Sequence, residues 1–424
     1  MMENRVLFGD IIWSLDRNSM SEHSSSYLVI ENGAVEGVYE SLPERFKSFP
    51  LDDWSGKIII PGMCDLHVHA PQYQFRGLWM DMELLDWLNG HTFPEESRYR
   101  DLSYADEAYG IFTHDLLHSP TTRVCAFATL HTEASLLLMK KLEEAGLSGY
   151  VGKVSMDRNC PDILRETTEQ SVEGNLEFLN RSAGFENMRP IITPRFIPSC
   201  SDDLMRALGR ISVERHLPVQ SHLSENPSEI AWVQELVPES SSYADAYRMF
   251  GMMGEEKTIM AHCVYSYERE LELLQNPNVF VAHCPDSNSN IYSGIARVTA
   301  LMDAGVKVGL GSDVAAGEEI SLFAAITNAV KVSKLAHRIS HPEDRMLTFR
   351  EAFFLATRGG GEFFGPVGAF DKGYEADAVV LDDSSFRTTL RDTLTLSERL
   401  EQYAYVKGRD NVCAKYVKGK RLVL

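Results

Sequence analysis

The chain has 424 residues and 44% hydrophobic content, which suits a globular enzyme with more than one structural unit. Asp and Glu total 61 against 41 Lys and Arg, and the net charge of −20 argues against nucleic acid or an anionic membrane as a partner. No apolar run approaches the about 18 residues of a transmembrane helix, and the N-terminus shows no signal peptide. Seven cysteines without C-x-x-C spacing favour reduced thiols and a cytoplasmic location.

Short strands are predicted at both ends of the chain. Near the N-terminus, Asn32-Gly33 between two apolar runs is typical of a hairpin turn. Strands return after about residue 367, at 378–381 and 404–406 and in a closing hairpin over 415–423. Because a few isolated strands are only marginally stable, we expect residues 1–60 and 367–424 to pack together as one small β-sandwich.

Between these ends, over 61–366, short apolar strands alternate with longer amphipathic helices. Eight strands are predicted, at about 58–68, 122–129, 149–156, 190–196, 217–222, 258–262, 279–283 and 306–313. Helices fall between most of them, such as 133–145 and 169–180. Eight alternations over about 300 residues indicate an α/β fold of the (β/α)₈ TIM-like barrel type.

A pair of histidines follows the apolar run Ile58-Ile59-Ile60. Residues i and i+2 of a strand face the same side, so His67 and His69 can bind one metal ion. Three later predicted strands also end in a polar candidate, namely His222, His262 and Asp313. Since such barrels place their chemistry at the carboxyl ends of the strands, we expect these side chains in one site.

The metal ligands are predicted to be His67, His69, His222 and Asp313. Three neutral nitrogens and one carboxylate suit Zn²⁺ and also Fe²⁺. Many barrel hydrolases with this pair of histidines hold two metals bridged by a modified lysine at the end of strand 4. Here strand 4 ends in Thr193-Pro194-Arg195-Phe196, without a lysine. We therefore expect one zinc ion per chain and interpret Lys153, on strand 3, as structural.

A bound metal lowers the pKa of a water toward neutrality, and the resulting hydroxide needs an electrophilic carbon and a proton shuttle. Glu225, three residues after His222, is the candidate shuttle. Asp313 can act as an acceptor from the bound water in addition to binding the metal.

Three further residues are candidates for binding a planar polar ring. Gln72 follows His69 by three residues and offers an amide donor and acceptor. Arg195 has a fork of donors suited to a carbonyl oxygen, and Phe196 can stack on a ring. A salt bridge would satisfy Arg195 equally well, so a structural role remains open for it.

Several segments are more specific than the barrel pattern: PGMCDLHVHAPQYQF, LLDWLNGHTFP, FATLHTEAS, ITPRF, QSHLSEN, IMAHC, AHCPDSN and GLGSDVAAG. Over nearly the whole chain, and most densely from about 58 to 358, they resemble the amidohydrolase superfamily and, within it, the guanine deaminases. The chain departs from that family's pattern at Asp286, where Asn is common, and at Ala316, where Gly is common.

The resemblance implies hydrolytic deamination of guanine to xanthine and ammonia. It implies that Gln72, Arg195 and Phe196 hold the purine, with His222, Glu225 and Asp313 also in contact with it. It implies that His262 hydrogen-bonds the attacking hydroxide rather than binding the metal, so that Glu225, His262 and Asp313 form the catalytic set. We also expect a homodimer, and a helix and loop over the pocket from the region 79–94.

Three alternatives remain open. The same ligands would serve deamination of another aminated ring, such as 8-oxoguanine, a pterin or a triazine, or hydrolysis of a cyclic amide. A non-catalytic scaffold on the same fold would require loss of a ligand or of Glu225, and none is missing. A deaminase of the cytidine-deaminase type would need P-C-x-x-C, which this chain lacks.

Overall fold

A computed structural model describes residues 3–406 and 411–424. The strands are β1 (Arg5–Ser14), β2 (Met20–Glu31), β3 (Ala34–Tyr39), β4 (Leu51–Pro61), β5 (Met63–His69), β6 (Thr121–Phe127), β7 (Ser148–Gly152), β8 (Val154–Ser155), β9 (Met188–Pro190), β10 (Thr193–Pro194), β11 (Val219–Leu223), β12 (Thr258–His262), β13 (Val279–His283), β14 (Lys307–Leu310), β15 (Ala378–Leu381), β16 (Val412–Val417) and β17 (Lys420–Arg421). The helices are α1 (Leu84–Trp87), α2 (Phe93–Ser97), α3 (Leu102–His118), α4 (Thr132–Glu144), α5 (Thr168–Ser182), α6 (Asp202–Arg215), α7 (Pro227–Leu236), α8 (Tyr243–Met249), α9 (Leu271–Leu274), α10 (Pro285–Asn290), α11 (Val298–Asp303), α12 (Leu322–Ile339), α13 (Phe349–Phe354), α14 (Gly360–Phe364) and α15 (Leu396–Tyr405).

Both ends of the chain meet in one seven-stranded sheet with the order β17-β16-β15-β4-β1-β2-β3. Alternate residues of its strands face opposite sides: Ile58 and Ile60 pack in the large core shared with the barrel, whereas Ile59 packs in a separate core within the sheet's own unit. Edge strand β3 is bridged from Ala34 to Glu375, so the sheet curls around this second core. The strands from the two chain ends therefore pair with one another in a single sheet.

Two hairpins of this sheet are where the sequence predicts them. Asn32 and Gly33 take φ angles of 54° and 78° between the antiparallel strands β2 and β3. The closing hairpin joins β16 to β17. The strand predicted at 404–406 is wrong, because residues 404 and 405 end helix α15. That helix begins with a capping box between Thr395 and Glu398 and buries Leu400 and Tyr403 on its inner face.

The middle of the chain forms a closed ring of parallel strands. Strands β5, β6, β7 and β9 form one sheet and β11, β12, β13 and β14 another, with the pair β8–β10 between them. A bridge from Ile192 to Val219 links the two sheets on one side. On the other side, Asp313 donates its backbone N–H to the carbonyl oxygen of His67 at 2.8 Å. This is the (β/α)₈ barrel that the strand count indicates.

One predicted barrel strand, 58–68, is in fact two strands. Residues 58–61 end β4 in the small sheet, and the barrel begins with β5 after Gly62. A Cβ at position 62 would lie 2.0 Å from Oγ1 of Thr122, so the chain can cross from one sheet to the other only with glycine at this point. The apolar run Ile58-Ile59-Ile60 therefore belongs to the small sheet.

A buried ion pair joins the barrel to the small sheet. Arg123 on β6 donates to both carboxylate oxygens of Asp377, at 2.6 and 2.9 Å, and to Glu375 at 2.6 Å. Arg123 and Asp377 are 4% and 1% exposed, so each charge depends on the other for its solvation.

All seven cysteines are free, and five of them are buried, which agrees with the absence of a disulfide framework. Within the described ranges, no helix combines the length and apolarity needed to cross a membrane.

Candidate active site and metal centre

A pocket lies at the carboxyl ends of the barrel strands, where barrel enzymes hold their active sites. Eight side chains predicted for the site line it: His69, Gln72, Arg195, Phe196, His222, Glu225, His262 and Asp313. His67 lies directly beneath, fully buried, with its Nε2 atom 3.1 Å from Oδ1 of Asp313. The structure thus brings all nine predicted residues to one place.

The histidines and Asp313 surround a common centre. The ligand atoms of His67, His69 and Asp313 lie within 4.8 Å of one another, and so do those of His67, His222 and His262. Nε2 of His69 lies 3.1 Å from Nε2 of His222. Such a convergence of ring nitrogens and one carboxylate is the donor set of a zinc-type site.

The hydrogen bonding of His222 fixes which of its nitrogens faces that centre. Its Nδ1 donates to the backbone carbonyl oxygen of Arg195 at 2.6 Å, so in the neutral ring Nε2 carries the lone pair. A backbone carbonyl that orients the second nitrogen is a common feature of metal-bound histidines.

The protonation states around the centre also suit a metal. Burial lowers the pKa of His67, and it lowers the pKa of His69 and His222 well below the usual value, which keeps the rings neutral. Burial alone would raise the pKa of Asp313, but the neighbouring histidines, His67 foremost, hold it well below its usual range. Cys284 is close to Asp313, yet burial raises the pKa of its thiol well above the usual value, so it stays protonated.

Glu225 lines the same pocket as His69. Its Oε2 atom is 3.4 Å from Nε2 of His262, and Ser293 donates to its Oε1 at 3.0 Å. Burial raises the pKa of Glu225 to about 7 even though His262 opposes this shift, and Glu229 acts in the same direction as burial. A carboxyl group with a pKa near neutrality is well matched to giving and taking a proton at physiological pH.

His262 has a defined orientation as well. Its Nδ1 lies 2.9 Å from Oδ1 of Asn288, and its Nε2 faces Glu225 and Asp313. Burial alone would lower the pKa of His262, but the charges of Glu225 and Asp313 raise it. His262 is therefore placed to donate a hydrogen bond into the space between the two carboxylates.

The backbone at the ends of β12 and β14 has unusual conformations next to the proposed metal ligands. His262 and Asp313 take positive φ angles of 72° and 45°, a region that only a few per cent of non-glycine residues adopt. Gly311 precedes Asp313 by two residues, and a Cβ there would lie 2.8 Å from Cβ of His67. Glycine at 311 allows strand β14 to approach the ligands closely.

At the other end of the pocket lies a buried polar network that the sequence did not reveal. Glu96, on α2, accepts from Nη1 of Arg195 at 2.6 Å and from Nε2 of Gln72 at 3.0 Å. Arg195 therefore does form the salt bridge that the alternative interpretation expects. It also lines the pocket. Glu96 follows Pro94-Glu95 in a polar stretch, and no periodicity marks it as buried.

The segment predicted to cover the pocket does so. Leu84, Trp87 and Leu88 line it from α1 and the π-helical turn Leu88–Thr92 that follows. The exposed side chains of this region face away, as with Trp79, which is stacked on His91 at 3.9 Å. An apolar cover and a polar floor are the usual composition of a site for a flat heterocycle.

Lys153 lies outside the site. Its Nζ atom donates to both carboxylate oxygens of Glu166, at 3.0 and 3.1 Å, and the side chain is 1% exposed. The structure therefore agrees with its interpretation as a structural residue.

Comparison with known proteins places the chain in a family. The amidohydrolase family model matches residues 58–422. The guanine deaminase of Dictyostelium discoideum is 40% identical over 379 residues, which are 87% of this chain and 83% of that protein, and the guanine deaminase of Escherichia coli is 36% identical over 84% of this chain and 81% of that protein. A crystal structure of guanine deaminase from C. acetobutylicum with bound guanine in the active site has a TM-score of 0.96, at 42% identity, and covers 99% of this chain and 100% of that chain.

The fold and the histidine–aspartate centre are those of a metal-dependent hydrolase on a (β/α)₈ barrel. The chain belongs to the amidohydrolase family and, within it, to the group of the guanine deaminases.

Proposed function

We propose that this protein hydrolyses guanine to xanthine and ammonia. One observation carries the proposal: a hydrogen-bonding pair for a ring edge, Gln72 and Arg195, lines the same pocket as the metal-type centre and the acid Glu225. A planar ring held by that pair would present a carbon on its far side to the centre.

For the metal, we propose one zinc ion per chain, held by His67, His69, His222 and Asp313. Three neutral imidazole nitrogens and one carboxylate fit zinc, and Fe²⁺ also fits. When bound, the ion would lower the pKa of a water toward neutrality and so supply the nucleophile. No second metal is proposed, because Lys153 is bonded to Glu166.

The side chains of the protein transfer the protons of the reaction and stabilise the charge that develops. Glu225, with its pKa near 7, takes a proton from the attacking water and gives it to the ring nitrogen N3 as C2 is attacked. The same carboxyl group then takes the proton of the hydroxyl group formed on C2 and gives it to the departing amine, which leaves as ammonia as the C2 carbonyl of xanthine forms. His262 donates a hydrogen bond toward the charge that develops on the attacking oxygen, and Asp313 accepts a hydrogen bond from the water.

Substrate binding rests on three side chains. Arg195 donates to the carbonyl oxygen of guanine, Gln72 bonds the ring edge beside it, and Phe196 packs against the ring. His222, Glu225 and Asp313 contact the ring at its reacting end. Adenine, which carries an amino group where guanine carries that carbonyl, would leave the N–H groups of Arg195 that face the pocket without an acceptor.

The direct test is ammonia release by the purified, zinc-loaded protein. We expect ammonia and xanthine from guanine, with stronger turnover of guanine than of 8-oxoguanine, a pterin or an aminotriazine. Stronger turnover of one of those rings, or of a cyclic amide, would identify that compound as the substrate in place of guanine. No turnover of any of them by folded, metallated protein would favour the scaffold alternative.

The remaining features of the proposal concern partners and location. We propose guanine as the small-molecule substrate, a homodimeric assembly and a reducing, cytoplasmic environment, the last supported by the seven free cysteines. The charge of −20 supports the expectation that neither nucleic acid nor a membrane is a partner. Analytical ultracentrifugation tests the assembly state.

A further inference from the structure

Glu96 occupies a position that contacts both side chains proposed to bind the ring. It is 2% exposed, and its two carboxylate oxygens are divided between them: Oε2 accepts from Arg195 and Oε1 accepts from Gln72. No other residue in the described part of the chain hydrogen-bonds both side chains.

The chemistry of Glu96 determines how Gln72 is oriented. A carboxylate paired with a guanidinium offers only acceptors, so it can bond the NH₂ group of the Gln72 amide and not its oxygen. The amide oxygen of Gln72 must then point away from Glu96. That oxygen is buried and has no hydrogen-bond partner among the described residues, and the side chain lines the pocket. A donor from a ligand in the pocket would satisfy this buried acceptor.

The same carboxylate also positions Arg195, but there it leaves donors rather than an acceptor free for a ligand. It uses Nη1 for Glu96 and lines the pocket, so its other N–H groups can donate there. Its guanidinium also packs at 5.0 Å over the ring of Phe93, three residues before Glu96. The pocket wall thus presents one acceptor from Gln72 beside donors from Arg195.

We propose that Glu96 is a positioning residue that sets this acceptor–donor pattern and so selects a ring edge with an N–H beside a carbonyl, a lactam edge. The inference deepens the proposed function, on which it rests for the identity of the ring, because guanine carries such an edge. Glu96 itself touches no substrate. It acts by holding the Gln72 amide in one of its two orientations.

The test uses binding rather than turnover. Hypoxanthine carries the lactam edge without the 2-amino group, and purine carries neither, so the two ligands report the edge alone. Their dissociation constants are measured by calorimetry on the zinc-loaded protein. We expect wild-type protein to prefer hypoxanthine by at least roughly 10-fold, as two extra hydrogen bonds allow.

The decisive variant is Glu96→Gln. A glutamine at this position can donate as well as accept, so the Gln72 amide is free to turn over. The preference for hypoxanthine should fall to about threefold or less, with purine affinity changed little, since only the lactam bonds are lost. The matched control is Glu95→Gln, the same substitution one residue earlier on α2, where Glu95 pairs with Arg98 at 2.9 Å. This control should keep the wild-type ratio.

Metal content and thermal melting are measured on every variant. An unchanged ratio in folded Glu96→Gln protein, or no preference in the wild type, overturns the role of Glu96. If Glu96→Gln does not fold, the test uses Gln72→Met, because this variant removes the acceptor and leaves the Glu96–Arg195 pair intact. Loss of the preference for hypoxanthine in Gln72→Met supports the proposed orientation of Gln72. An unchanged preference overturns it. Failure of wild-type protein to release ammonia from guanine would instead count against the proposed reaction, and this outcome is separate from the binding ratio.

Discussion

The Nδ1 atom of His222 donates to the backbone carbonyl oxygen of Arg195 at 2.6 Å. This one bond couples a proposed metal ligand on β11 to a proposed substrate-binding residue that follows β10. A relative shift of the two strands would therefore disturb both the proposed metal ligand and the proposed substrate-binding residue. A bond from a ligand side chain to the backbone of Arg195 thus links the metal centre to the part of the pocket proposed to bind the ring.

Metal stoichiometry is the first prediction. Purified protein should hold about one zinc-type ion per chain, because one centre gathers the four ligands and no bridging lysine is present. Elemental analysis against protein concentration measures this. Dialysis against a chelator should remove the ion and the activity, and added zinc should restore both. Two tightly held ions per chain would contradict the prediction.

The proton shuttle gives the second prediction. Glu225→Gln should keep its metal and fold but lose roughly 10²–10⁴-fold in turnover, since a positioned acid and base is lost. Steady-state ammonia release measures it. Glu235→Gln, an exposed glutamate on the neighbouring helix α7, serves as the control and should behave as wild type. Near-normal turnover of metallated Glu225→Gln would reduce Glu225 to a structural carboxylate.

The third prediction concerns Arg195. Arg195→Met should lower kcat/KM for guanine by at least roughly 10–100-fold, since guanine loses a charged donor and Glu96 is left without its cation. Metal content should stay the same. Arg195→Lys keeps the charge but not the fork, so it should be intermediate in kcat/KM. Guanine kinetics that are unchanged in Arg195→Met would remove Arg195 from recognition.

The ion pair between the two units of the fold gives the fourth prediction. Arg123→Met leaves Asp377 buried without its partner and should lower the free energy of unfolding by about 3–5 kcal/mol. Urea unfolding followed by fluorescence measures it. Arg45→Met removes an exposed pair with Glu36 and should cost less than about 1 kcal/mol. Equal effects of the two substitutions would show that the buried pair does not hold the small sheet to the barrel.

A fifth prediction concerns pH. Lys57 lies 2.6 Å from Asp382, and although burial opposes it, hydrogen bonding to Lys57 lowers the pKa of Asp382 to about 2. A depressed carboxyl pKa contributes stability above its unfolded value, and this is lost as the pH falls toward 2. Lys57→Met should therefore be less stable at pH 7, by up to about 1 kcal/mol for a partly exposed pair. The gap should shrink below pH 4. A gap that grows in acid would contradict the assignment.

The sequence by itself determined the type of fold and most of the centre. The eight strand-like runs and the ligands at their ends follow from side-chain periodicity, which is local information. His67 and His69 were predictable because one intervening residue on a strand places two side chains on one face. Glu225 was predictable from its closeness to His222 along the chain.

Only the tertiary structure decided the rest. The run Ile58-Ile59-Ile60 has the same pattern whether it belongs to the barrel or to the small sheet, and only the pairing of β4 with β1 and β15 assigns it to the small sheet. Residues 404–406 look like a strand locally, but they end a capped helix whose inner face is buried. The sequence did not predict Glu96 as a site residue, because its hydrogen bonds are to Gln72 and Arg195, which lie 24 and 99 residues away in the chain. Contacts between residues so far apart are set by how the whole chain packs, and no local pattern encodes them.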